Sequence, residues 1–94
     1  MQVINIFNKL LSHKGFKGQV IVKKYYEESS LIKAIKSVTI ELYYVEGIKK
    51  IKLFTSSIKS AHIDSAYSTL EENCIYFLLD ESSTLLDAIK DGIK

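Results

Sequence analysis

Val38, Ile40, Leu42 and Tyr44 alternate with Thr39, Glu41, Tyr43 and Val45, and the dipeptide Glu46-Gly47 interrupts the pattern before apolar residues return at Ile48. Successive side chains of a strand point to opposite faces, so an alternation this long selects an extended ribbon with one apolar face. Glycine at the interruption supplies the positive φ that a tight hairpin turn requires. Residues 38 to 55 are therefore expected to form a β-hairpin, and whatever else the chain does must cover its apolar side. If Val45 faces Ile48, Leu42 pairs with Ile51 and Ile40 with Leu53 on that side, while Glu41 meets Lys52 and Tyr43 meets Lys50 on the other.

The flanking segments supply candidate covers. Val3, Ile4, Phe7, Leu10 and Leu11 lie at helical spacing, and the helix they predict over residues 2 to 13 should stop near His13 and Lys14, where Gly15 can adopt a left-handed conformation. "GQVIVKKYY" reads as a strand; its Val20-Ile21-Val22 run, apolar on both faces, suits a central position in a sheet. Ser29 or Ser30 can cap a short helix through Leu31, Ile32, Ile35 and Val38. After the hairpin, Ile63, Ala66, Tyr67, Leu70 and Cys74 define another helix, "CIYFLL" has the length and apolarity of a strand, and Leu85, Leu86 and Ile89 mark a last helix that Ile93 extends. The fold class is thus α+β, with a ferredoxin-like βαββαβ order in a single-sheet sandwich plus N- and C-terminal helices. Should residues 29–37 or 57–67 be strand, the alternative is a small antiparallel barrel closed by the C-terminal helix.

With 94 residues, 47% of them hydrophobic, and no proline, the chain has the composition of one globular domain spanning residues 1–94. Its N-terminus lacks a basic region and a small-residue cleavage site, and Asn5, Asn8 and Lys9 break its apolar run, so neither a signal peptide nor a membrane span is expected. Cys74 is the single cysteine, which excludes an intrachain disulfide and a cysteine-based zinc site and suits a reducing, cytoplasmic compartment.

Catalytic constellations are thin. In "SAHIDS", His62 and Asp64 stand two apart, and on a helix such positions point to different sides, so the cluster reads as polar cover for a helix start. His13 reads as a surface histidine near a helix end. Cys74 has no lysine or histidine beside it in sequence to activate a thiolate, and the pairs Glu27-Glu28, Glu71-Glu72 and Asp80-Glu81 are adjacent residues at element ends, not carboxylates across a cleft. The four glycines form no phosphate loop. No enzymatic activity, cofactor or metal is expected.

Charge points instead to binding. Residues 1–60 carry eleven lysines against Glu27, Glu28, Glu41 and Glu46; residues 61–94 carry Lys90 and Lys94 against seven acids. All 13 basic residues are lysine, so the fork-shaped contacts of arginine to phosphate or guanine are missing. "KKYYEESS" sets Lys23 with Tyr25 on one strand face and Lys24 with Tyr26 on the other, and Tyr43 with Lys50 repeats the motif in the hairpin. A ring beside a cation can anchor a protein partner or stack on a base. Lys23, Lys24, Tyr25, Tyr26, Tyr43 and Lys50 are therefore the candidate binding residues. The first expectation is a small intracellular protein that occludes a protein partner, as inhibitors, immunity proteins and adaptors do; the alternative is a nucleic-acid-binding regulator using the lysine-rich first sixty residues. Nothing in the sequence fixes the oligomeric state.

Overall fold

The computed structural model describes residues 2–28, 31 and 34–94. Along them run α1 (Gln2–His13), β1 (Gln19–Glu28), β2 (Lys36–Glu46), β3 (Lys49–Ser60), α2 (Ile63–Asp80) and α3 (Ser82–Gly92). The strands form an open antiparallel sheet in the order β1-β2-β3, and the architecture is α+β. Gly15, at φ 91°, follows α1 where its apolar stripe ends.

β2 takes the centre, and it alone is buried on both faces through its middle. Val38, Ile40, Leu42 and Tyr44 have no exposed surface, and they meet Ile4, Phe7 and Leu11 of α1, Ala66, Leu70, Cys74 and Leu78 of α2, and Leu85 and Ile89 of α3 in one core. Val20 and Val22 of β1 and Ile51, Phe54 and Ile58 of β3 join this core, so its strand residues come from one side of the sheet. The chain therefore has two layers, helices on one face of the sheet and nothing in the described residues on the other.

Several expectations need correction. "CIYFLL" is not a strand: it continues α2, because Ala66, Leu70, Cys74 and Leu78 keep a four-residue spacing with no breaker between them, and Phe77 stacks on Phe54 with ring centroids 4.8 Å apart. Without that strand the ferredoxin-like order is not found, and the open edges of the sheet exclude the closed barrel. Of the short helix expected near residue 31, Ser29, Ser30 and Ile32 lie outside the described residues; Leu31 and Ile35 are not helical, and Val38 is in β2. Residues 57–60 belong to β3 and 63–67 to α2. β1 is an outer strand, and Ile21 on its far face is 38% exposed.

The hairpin exists, with its register displaced by two. Glu46 pairs with Lys49, Val45 with Lys50, Tyr44 with Ile51 and Tyr43 with Lys52, so the loop is Gly47-Ile48, with Gly47 at φ 60°. A bulge follows: Tyr43 pairs with Lys52 but Leu42 with Phe54, leaving Leu53 as the extra residue. Between turn and bulge the shift of two conserves side-chain parity and keeps Ile51 against the core; past the bulge the shift is three, so Leu42 meets Phe54 instead of Ile51, Thr55 turns to the outer face opposite Glu41, and Leu53 packs against the core as the extra residue.

Polar ties fix the periphery. The Asn8 side chain donates to the Val20 carbonyl at 3.0 Å and accepts from the Val20 N–H at 2.6 Å, docking α1 against β1. Tyr44 accepts from the Gly18 N–H at 2.9 Å and donates to Glu46 at 2.6 Å. A Cβ at residue 18 would lie 2.3 Å from the Val45 carbonyl oxygen and 2.6 Å from the Tyr44 ring, so only glycine lets the chain pass there. With Leu42 at the centre of this core, Leu42→Ala should lower stability by about 2–5 kcal/mol in denaturant unfolding; a loss under about 0.5 kcal/mol would contradict the register.

Candidate binding face of the sheet

The uncovered face of the sheet is read off the register. Across it lie Ile21, Tyr43 and Lys52, then Lys23, Glu41 and Thr55, then Tyr25, Thr39 and Ser57. Among the described residues no helix shields this side, yet Thr39 is only 7% and Glu41 only 6% exposed. Their cover is made by the long side chains of the neighbouring strands. Thr39 and Ser57 share a hydroxyl hydrogen bond of 2.7 Å across the ladder.

Glu41 is the electrostatic centre. Lys52 lies 2.8 Å from its carboxylate along a diagonal, since the residue directly opposite Glu41 is Thr55. Lys23 stands directly opposite on β1. Hydrogen bonding from Lys52 holds the Glu41 carboxyl below the ordinary range against the opposing effect of desolvation, with hydrogen bonding from Tyr43 and the charges of Lys52 and Lys23 acting in the same direction as the first. The same contact raises Lys52, and desolvation together with the neighbouring carboxylate raises Tyr43. Tyr43 is also the ring on which lysines rest: the Lys50 ammonium is 4.2 Å and the Lys52 ammonium 5.8 Å from its centroid. On β1, Lys23 lies 5.4 Å above the ring of Tyr25. Alternate ring and cation thus tile the face, each lysine stem covering apolar ring surface while its charge stays in water.

Of the six residues expected to bind, four come together here: Lys23, Tyr25, Tyr43 and Lys50. Lys24 and Tyr26 do not, because their parity sends them to the helical side. Lys24 forms an ion pair with Glu71 at 2.8 Å and lies 5.7 Å from the ring of Tyr67, and the hydrogen bond to Glu71 raises its pKa. Tyr26 stays 48% exposed beyond them. Lys52 and Ile21 complete the face and were not among the expected residues; the alternation of β1 with Lys23 and Tyr25 was the available signal, since it puts Ile21 in the same phase as them.

The other polar clusters are structural. His62 begins α2 without a side-chain cap, and Ser60 folds back onto it, its hydroxyl accepting from the His62 N–H at 2.9 Å. Cys74 is fully buried, and desolvation pushes its thiol up to about 11. Among the described residues, no three His, Cys, Asp or Glu side chains are grouped to hold a metal, and no helix is long and apolar enough to cross a membrane. No protein family, curated protein or solved structure shows a match to this chain.

Two measurements test this electrostatic picture. A carboxyl whose folded pKa is depressed adds stability above its unfolded pKa and loses it as pH falls through the folded one. Lys52→Ala should therefore be less stable than the parent at pH 7, and the gap should close in acid once Glu41 is protonated in both; a gap independent of pH would remove the ion pair as its cause. Cys74 should resist a thiol reagent at pH 8 in the native protein and react fully in denaturant, whereas native-state labelling within minutes would show the thiol to be accessible.

Proposed function

We propose that this chain is a small binding protein that acts by covering a surface of a protein partner, in the manner of an inhibitor, immunity protein or adaptor, and that the uncovered sheet face is where the partner sits. The observation that carries the reading is the pairing of half-buried Tyr25 and Tyr43 with lysines on a sheet face that no helix of the described residues covers. Aromatic side chains held rigid by their neighbours lose little freedom on association and can supply the desolvated anchors of an interface, while the surrounding lysines steer an acidic surface into place. A lone, buried cysteine fits the reducing interior of a cell, where we place the protein.

A nucleic-acid platform is the second reading, favoured by Lys23, Lys50, Lys52 and Lys59 on one side of the sheet. Glu41 weighs against it, since a carboxylate at the centre repels a phosphate and already engages Lys52. The absence of arginine removes bidentate base contacts as well.

The test is co-purification from the native cell, then affinity measurement on the recovered partner. Tyr25→Ala or Tyr43→Ala should weaken binding by about 2 kcal/mol or more, roughly thirtyfold, whereas Lys50→Ala should act mainly on the association rate. Titration with single-stranded and duplex oligonucleotides decides the alternative: micromolar binding that weakens steeply with salt would replace the protein-binding reading.

A further inference from the structure

A second apolar surface lies on the helical side, independent of the sheet face. Between α1 and the end of α2 runs a groove of about 220 Å³ walled by Val3, Ile6 and Leu10 on one side and Leu78 and Leu79 on the other, with Ser82 at its end. Ile6 is 66% and Leu79 62% exposed, and Leu10 is 36% exposed. Ile6, Leu10 and Leu79 exceed what the core uses: Ile4, Phe7 and Leu11 already anchor α1, with Val3 packed at the core's edge, and Leu78 anchors α2. α1 thus carries a second apolar stripe, at positions 3, 6 and 10, of which Ile6 and Leu10 meet solvent.

The two walls carry charge of opposite sign. α1 carries Lys9 and no acidic residue, while α2 carries Glu72 and Asp80, the latter next to Leu79 in sequence, and no basic residue; Glu71 is held by Lys24, and Asp64 lies roughly 20 Å from Leu78 along the helix. Among the described residues, Lys9, Glu72, Asp80 and Glu81 enter no ion pair within the chain. A surface with an apolar seam, a cationic bank and an anionic bank is complementary to itself. A two-fold axis along the seam lays the seam on its own copy and brings each cationic bank opposite the partner's anionic bank, the isologous arrangement of a symmetric dimer.

We infer that the groove between α1 and α2 is a homodimer interface, occupied by the same groove of a second copy with α1 of each chain set against α2 of the other. Sedimentation equilibrium over a range of protein concentrations tests it. The parent protein should reach about twice its 10.7 kDa chain mass at tens of micromolar. Ile6→Asp and Leu79→Asp, at exposed positions that leave the core intact, should each raise the dissociation constant at least tenfold with unchanged far-ultraviolet circular dichroism. Lys9→Glu, which puts like charges on both banks, should weaken association in low salt and lose that effect in high salt. A chain that stays monomeric at several hundred micromolar would overturn the inference, and so would a dimer that Ile6→Asp and Leu79→Asp leave intact. Because Tyr25 and Tyr43 lie on the opposite side of the sheet, neither outcome alters the partner-binding test.

Discussion

Glu41 is a carboxylate in the middle strand of a sheet that, among the described residues, has helices on one side only, and the strands beside it have to supply its cover. A buried charge without partners is costly, and Glu41 is kept ionised by a lysine on each flanking strand. Its placement has consequences for the whole sheet. Lys52 reaches inward to the central strand, the rings of Tyr25 and Tyr43 lie beneath the ammonium groups of Lys23 and Lys50, and the face becomes an ordered pavement of stems and rings instead of a loose fringe. On the opposite side, Val38, Ile40, Leu42 and Tyr44 hold all three helices through a single core. One strand therefore sets both layers.

The parts of this arrangement that were legible in the sequence are those governed by local periodicity. The alternation from Val38 to Val45 placed the right residues on each face, and the stripe of α1 ended at Gly15 as its spacing required. Register was less legible because glycine can occupy either position of a short turn; taking Glu46-Gly47 as the loop instead of Gly47-Ile48 displaced the pairs next to the turn by two and kept their faces, while beyond the bulge the pairs are displaced by three and the facing of β3 reverses. The bulge had a faint signal in Leu53-Phe54, where two large apolar residues stand side by side and Ile58 continues in the phase of Phe54. "CIYFLL" was ambiguous because a short apolar run suits a buried strand and a buried helix turn equally; what decides it is the unbroken spacing from Ala66 to Leu78.

The binding face was legible as a set of residue types but not as a surface. Adjacent Lys23-Lys24 and Tyr25-Tyr26 look equivalent in the chain, yet parity sends one pair to the open side and the other to α2, where Glu71 and Tyr67 engage Lys24. Pairing across strands, which brings Tyr43 within reach of both Lys50 and Lys52, depends on the register and the bulge together. The division of charge along the chain acquires a spatial meaning in the same way, since it becomes a basic first helix facing an acidic second one.

The amide of Asn8 occupies both the donor and the acceptor that Val20 turns away from the sheet. An outer strand with such groups free is a template on which a foreign strand can add, and growth of that kind leads to aggregation. By supplying the hydrogen bonds that an added strand would make, a side chain on α1 closes the ladder at its start, where the residues are most apolar. Further along β1, Lys23 and Lys24 discourage pairing by charge. Detachment of α1 alone, without loss of the sheet, would uncover the Val20–Val22 stretch to neighbouring molecules, so resistance to fibril-like assembly depends on how firmly one twelve-residue helix stays docked.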